Sequence, residues 1–271
     1  MYIASIARDR VAITGALACG VALVKFRYHV TFINVALGAL IFAARLDGAF
    51  AWRLFALYVS FNVLLYSGLY AINDLADRES DARHPLKRRR PIPSGRMSVR
   101  EAKQWAGIFV ASGIATGALF GARILWCFAA VVAINVAYSF GGRNVVYLDV
   151  VLNALPHVVR FLMGVLFVGR VPPVTHLMAL LLVAISLSCL RRLVELDVDG
   201  WEARQSLQAW SAEALSRFLF GSLAAFAALG VWQASSAPGF YAALAGAAVV
   251  LTGGAHRAPP VRRALQWVWT H

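Results

Sequence analysis

A chain of 271 residues that is 60% hydrophobic, with a mean hydropathy of +0.67, carries more apolar surface than a soluble domain of that size buries. Only 14% of its residues are charged, yet 26 Lys and Arg stand against 13 Asp and Glu, a net charge of +13. These values point to a polytopic, all-α membrane protein whose charge reflects topology and anionic lipid. They exclude nucleic acid as a partner, because no soluble fold remains to present the charge.

Crossing a hydrocarbon core of roughly 30 Å takes about 20 mostly apolar residues as helix. Such runs recur at 28–44, 51–72, 101–120, 122–140, 147–169, 173–191, 212–234 and 238–254, which predicts eight spans in a single domain over 1–271. The apolar stretch 11–24 ahead of them is followed closely by Lys25 and Arg27 and reads as an extension of the first helix or an interfacial segment. With eight spans, the N-terminus, the connections 73–100, 141–146 and 192–211, and the C-terminal tail share one side. That side holds most of the basic residues, including Arg78, Arg83, the run 87–90, Arg191, Arg192 and Arg204, while Arg45, Arg53, Arg123 and Arg170 lie near the other. The positive-inside rule makes the basic side cytoplasmic, as in a bacterial inner membrane. Cys19, Cys127 and Cys189 stand apart inside apolar segments, without the spacing of a metal site or redox pair, and read as small core residues.

The candidate chemistry lies at the span ends. In NDLADRESD, continuing the second span as helix puts Asp74, Asp77 and Asp81 at i, i+3 and i+7 on one face. Three carboxylates so placed repel unless a cation sits among them. Oxygen ligands of this hardness suit Mg²⁺, which keeps several waters and bridges to substrate phosphates. Asn73 adds an amide able to orient a carboxylate or meet phosphate, and Lys87, Arg88 and Arg90 can cap the same anion.

A second acidic cluster follows the sixth span, where Glu195, Asp199 and Glu202 fall at i, i+4 and i+7 of a continuing helix. Four spans separate the clusters, so both emerge on one side. Two acidic faces at one depth could hold a pair of magnesium ions around a departing diphosphate. On the fifth span Asn153, His157 and Arg160 form an i, i+4, i+7 stripe, with Arg160 the candidate phosphate clamp. Arg27 and Asn34 are candidates to line the first helix in the same way. A merely solvated loop has no reason to register its acids on one helical face. A transporter or binding protein, the non-enzymatic alternative, would place them nearer the bilayer midplane.

NDLADRESD matches the Asn-Asp-x-x-Asp-x-x-x-Asp signature of the UbiA superfamily of intramembrane prenyltransferases, and RPIPSG resembles the Arg-Pro-x-x-x-Gly that accompanies it. The resemblance implies nine helices, against the eight counted here, around a central cavity with cytosolic loops over two acidic motifs. It implies an active site facing the cytoplasm, with a polyprenyl lipid and a diphosphate-bearing substrate as partners.

HPLKRRRPI, AYSF followed by Asp149, VVRFLMG with Arg160 and Gly164, RRLVEL with Arg192, and SLQAWSAEAL are most similar to the decaprenyl-phosphate phosphoribosyltransferase branch. That branch implies transfer of phosphoribose from 5-phosphoribosyl diphosphate to a polyprenyl phosphate, with Arg192 among the substrate-binding residues. The alternative within the superfamily moves a prenyl chain from its diphosphate to an aromatic or other small acceptor. At VTFIN, where the branch has Gln-Trp-x-Lys-Asn, only Asn34 is kept and Ile33 occupies the lysine position.

Overall fold

A computed structural model describes residues 20–83, 87–199, 211–233 and 235–257; of 27, 197–199 and 254–257 only the backbone is described. All regular structure among the described residues is helical. A 3₁₀ segment, Phe26–Phe32, leads into α1 (Ile33–Phe42). There follow α2 (Gly48–Arg83), α3 (Val99–Ala118), α4 (Ala122–Ser139), α5 (Leu148–Phe167), α6 (Val174–Asp199), α7 (Ala212–Trp232) and α8 (Pro238–Arg257).

Each expected span coincides with one helix. Gly48–Arg83, Ala122–Ser139, Leu148–Phe167, Val174–Leu196 and Ala212–Trp232 are long and apolar enough to cross a bilayer, while Tyr28–Phe42 and Pro238–Gly253 are shorter apolar helices. α3 departs from the expectation, because Arg100, Glu101, Lys103 and Gln104 occupy its first turns and shorten its apolar part.

The chain divides into two compact units, residues 1–32 with 45–128, and residues 33–44 with 129–271. In the first, α2 starts at Asp47, whose carboxylate accepts the Phe50 N–H at 2.8 Å. It is α-helical to Tyr58, π-helical over Val59–Leu65 and α-helical again over Tyr66–Arg83. The π turn lies against α3. Ser60 Oγ there meets Thr116 Oγ1 at 2.8 Å, and a Cβ on Gly113 would come within 2.7 Å of the Leu65 nitrogen. A Cβ on Gly68 would likewise come within 2.9 Å of the Ala106 carbonyl. Small residues thus let the two backbones meet, the usual means of helix association where lipid is as apolar as the side chains. Ser98 and Glu101 form a reciprocal capping box that starts α3. Leu23, Ala71, Ile92, Met97, Ala102 and Ala106 form the core beneath the acidic end of α2.

In the second unit α1 and α5 approach through Gly38 and Gly164. A side chain on Gly38 would run into the Phe161 carbonyl and one on Gly164 into that of Val35. Val150 and Ala154 of α5 pack with Ile185, Cys189 and Leu190 of α6 and with Leu215 and Leu219 of α7. α8 adds Tyr241 and Ala248 against Ala179, Val183 and Phe226. Cys127 and Cys189 are free and buried, as core residues should be.

Candidate functional site

The predicted acidic face exists. Asp74, Asp77 and Asp81 lie in the last α-helical stretch of α2, with Asp74 and Asp81 only 2% and 3% exposed. Burying carboxylates at such depth requires partners, and two cations of the same unit supply them. Lys25 Nζ donates to Asp74 Oδ1 at 2.7 Å. Arg90 Nη1 bridges the face, 3.1 Å from Asp74 Oδ1 and 2.8 Å from Asp81 Oδ2. The other oxygen of Asp74, Oδ2, is buried with no hydrogen-bond partner.

The local sequence explains how each cation is delivered. The 3₁₀ turn Lys87–Arg89 closes through the Arg90 N–H to the Lys87 carbonyl at 2.9 Å. Buried Ile92 and Met97 then pin the RPIPSG loop, whose Gly95 takes φ +75°, a conformation suited to glycine. Lys25 follows buried Leu23 and Val24 and itself has φ 42°. His29 braces that bend. Its Nε2 must donate to the Val24 carbonyl, 2.8 Å away, which leaves Nδ1 to accept from the Tyr58 hydroxyl at 2.7 Å. The ammonium lies 5.4 Å from the centre of the Tyr70 ring. Burial lowers the Lys25 pKa, against the raising effect of Asp74.

Asn73 is half-buried beside Asp74, Lys87 is half-buried, and Arg88 faces outward. For Arg27 only the backbone is described.

The second unit gathers a different set. Arg192 is 1% exposed and all three of its nitrogens are taken: Nε and Nη2 hold the two oxygens of Asp149 at 2.6 and 2.7 Å, Nη1 reaches Glu195 Oε2 at 2.6 Å, and Nη2 also meets the Tyr138 hydroxyl at 3.1 Å. Arg192, expected as a substrate-binding residue, lies at the buried centre of an ion network joining α4, α5 and α6, because a carboxylate as enclosed as Asp149 needs a bidentate cation. Glu195, expected as a metal ligand, spends both oxygens on arginines, since Arg191 Nε also reaches Oε1 at 3.0 Å. Asp199 shares the helix of Glu195 one turn on, with its side chain not described, and Glu202 lies outside the described residues.

Along the fifth-span stripe, Asn153 donates to Ser188 Oγ at 3.1 Å, and the Asn34 amide meets His157 Nδ1 at 2.9 Å. Arg160 is buried. Asn34 and His157 therefore position each other.

Among the described residues no three His, Cys, Asp or Glu side chains converge as a metal cage. The acidic face still fits Mg²⁺, which binds through one or two carboxylates and completes its shell with water and substrate phosphate. The open Oδ2 of Asp74 is such a carboxylate oxygen.

Reasoning from sequence missed Lys25 and the pairing of Asp149 with Arg192. Lys25 looked like the charged flank of an apolar run, and nothing near it in sequence marks its partner, 49 residues away. Asp149 was visible as an acid in the first turn of a long apolar segment, a place where an unpaired charge is costly.

The UbiA prenyltransferase family model matches residues 31–267. The chain belongs to this family. Its fold is that of a UbiA homologue from Archaeoglobus fulgidus whose structure was solved bound to GPP and Mg²⁺. The TM-score is 0.75 at 17% identity, over 93% of this chain and 95% of that one. With its apolar helices, this makes the chain an integral, polytopic membrane protein.

Among sequence relatives, the decaprenyl-phosphate phosphoribosyltransferase of Mycolicibacterium smegmatis is 26% identical over 177 residues, 64% of this chain and 55% of that protein. A 4-hydroxybenzoate octaprenyltransferase of Polaromonas sp. is 34% identical over 97 residues, 35% of this chain and 33% of that protein. The aligned stretches thus span about half, or less, of these relatives' lengths.

Proposed function

We propose that this UbiA-family protein is a Mg²⁺-dependent intramembrane transferase acting on a polyprenyl substrate with diphosphate as leaving group, and that it is a polyprenyl-phosphate phosphoribosyltransferase. The observation that carries the reading is the buried acidic face of α2 met by Lys25 and Arg90. It joins carboxylates for a divalent ion to two cations within reach of the same anion. The phosphoribosyl assignment is supported by the longer of the two alignments, 177 residues against 97.

In this mechanism Asp74, Asp77 and Asp81 would hold the metal, with Asp199 and Glu202 as candidates from the second cluster. The ion would neutralise charge growing on the diphosphate as it departs. Lys25 and Arg90 donate to diphosphate oxygens, and Asn73 orients a carboxylate or meets phosphate. Arg160 holds a second phosphate group, with Lys87 and Arg88 at the entrance and Arg27 and Asn34 on the first helix.

The bond from the anomeric carbon to diphosphate breaks, its electron pair leaving with diphosphate, and an oxygen of the polyprenyl phosphate forms the new bond. That nucleophile is already an anion, so the chain needs to supply no general base. The spans hold the lipid, and the positive-inside rule puts the site on the cytoplasmic face of a bacterial inner membrane.

Ile33, at a position where the phosphoribosyl branch carries lysine, favours the second reading, transfer of a prenyl chain from its diphosphate to a small acceptor. Isothermal titration of the two donors separates them. Magnesium-dependent binding of phosphoribosyl diphosphate supports the first, whereas binding of a prenyl diphosphate alone rejects it in favour of the second. Binding of neither points to a non-enzymatic membrane protein.

A further inference from the structure

The acidic face expected to hold a metal already carries two of the protein's own cations. Asp74 Oδ1 carries both Lys25 Nζ and Arg90 Nη1, and Asp81 Oδ2 carries Arg90 Nη1. A divalent ion sits about 2.0–2.1 Å from a carboxylate oxygen. An ammonium held 2.7 Å from that oxygen would then face a like charge at short range. A metal on this face and these cations therefore weaken one another's hold on the carboxylates. Asp74 Oδ2, buried and without a hydrogen-bond partner, is the one atom of this carboxylate that neither cation has claimed.

We propose that Lys25 and Arg90 are exchange counterions: they neutralise Asp74 and Asp81 and turn to the diphosphate when metal and diphosphate arrive together. The inference rests on the transferase reading above and adds a property to it. Lys25 is a diphosphate-positioning residue, and the site takes up metal and diphosphate as a coupled pair, resisting metal alone.

Both cations are placed for the exchange. Lys25 is fixed at its bend by buried Leu23 and Val24 and by the His29 brace, so only its flexible side chain needs to swing. Arg90 sits on the turn before the RPIPSG loop and reaches two carboxylates with one nitrogen, leaving its remaining N–H groups for an anion. Without an anion to receive them, displacing these cations strands a half-buried ammonium and a half-buried guanidinium, which opposes metal binding. With diphosphate present each gains a new partner, and linkage requires that metal and diphosphate raise one another's affinity by the same factor.

The test is a Mn²⁺ titration of the full-length, detergent-solubilised protein, read by the EPR signal of free Mn²⁺, with and without inorganic diphosphate. The wild type should bind Mn²⁺ weakly alone and far more tightly with diphosphate. Lys25→Met should bind Mn²⁺ alone about fivefold or more tightly than wild type, and the diphosphate enhancement should shrink by a similar factor. Lys25→Arg, which keeps the charge, should resemble wild type. If Lys25→Met is unstable, Mn²⁺ should raise its melting temperature more than that of wild type, and Arg90→Gln should show the same trend in affinity. Unchanged or weaker Mn²⁺ binding in both Lys25→Met and Arg90→Gln overturns the exchange while leaving the metal site standing. Failure of Mn²⁺ to bind any form, with or without diphosphate, overturns the metal reading as well.

Discussion

At the scale of single residues, the two units pair their buried acids differently. Asp74 and Asp81 meet a part-buried lysine and arginine, whereas Asp149 and Glu195 share the fully buried Arg192. Replacing Asp74, Asp77 or Asp81 by Asn, one at a time, should lower turnover by about 100-fold or more, while the protein still inserts and elutes as a single species. Near-normal turnover at limiting Mg²⁺ in any two of the three would reject the metal role. Arg160→Ala should raise the apparent KM for phosphoribosyl diphosphate or the lipid phosphate by about tenfold, the loss of one charge-assisted hydrogen bond of about 1.5–3 kcal/mol. Arg192 acts differently, because its removal leaves Asp149, 0% exposed, without its bidentate partner. Arg192→Met should cost about 3–5 kcal/mol of stability, seen as a lower melting temperature in detergent. Lys in its place should rescue it only in part, because it cannot span both carboxylate oxygens at once.

At the scale of the helices, glycine placement decides which pairs pack. Gly164 and Gly38 sit where the backbones of α1 and α5 touch, whereas Gly107 of α3 has open space where a Cβ would go. Gly164→Ala should therefore lower the melting temperature, at a cost of about 1–3 kcal/mol from overpacking. Gly107→Ala should leave it unchanged or raise it, since alanine is the better helix former by up to about 1 kcal/mol. Loss of stability in both variants would contradict the close approach.

These elements also show what the sequence made legible. The apolar runs located the long α-helices among the described residues, and the spacing of Asp74, Asp77 and Asp81 placed them on one face, because both signals are local and periodic. The π turn Val59–Leu65 was not legible, since it depends on how α3 presses against α2 through Gly113. The partners of Lys25 and Arg192, 49 and 43 residues distant, are set by tertiary packing, which a single sequence does not encode as a pattern.

At the scale of the whole molecule, the shared-diphosphate model needs both acidic clusters on one side of the membrane. Cysteine labels placed in 82–100 and in 200–210 should be reached from the cytoplasmic side only, because four expected spans intervene and the first connection is strongly basic. Labelling from opposite sides would separate the clusters and end that model.

The account's central claim is that the buried acidic face of α2 supports magnesium-dependent loss of diphosphate with transfer to or from a polyprenyl lipid. The most direct measurement offers the purified protein two substrate pairs, with and without Mg²⁺, and reads products by mass. One pair is 5-phosphoribosyl diphosphate with a polyprenyl phosphate, and the other is a prenyl diphosphate with aromatic acceptors. The account predicts a polyprenyl-phosphoribose product and free diphosphate from the first pair, present with Mg²⁺, absent without it, and lost in Asp74→Asn. Prenylated acceptor from the second pair alone would contradict the phosphoribosyl assignment, and product from neither pair at any Mg²⁺ concentration would contradict the central claim.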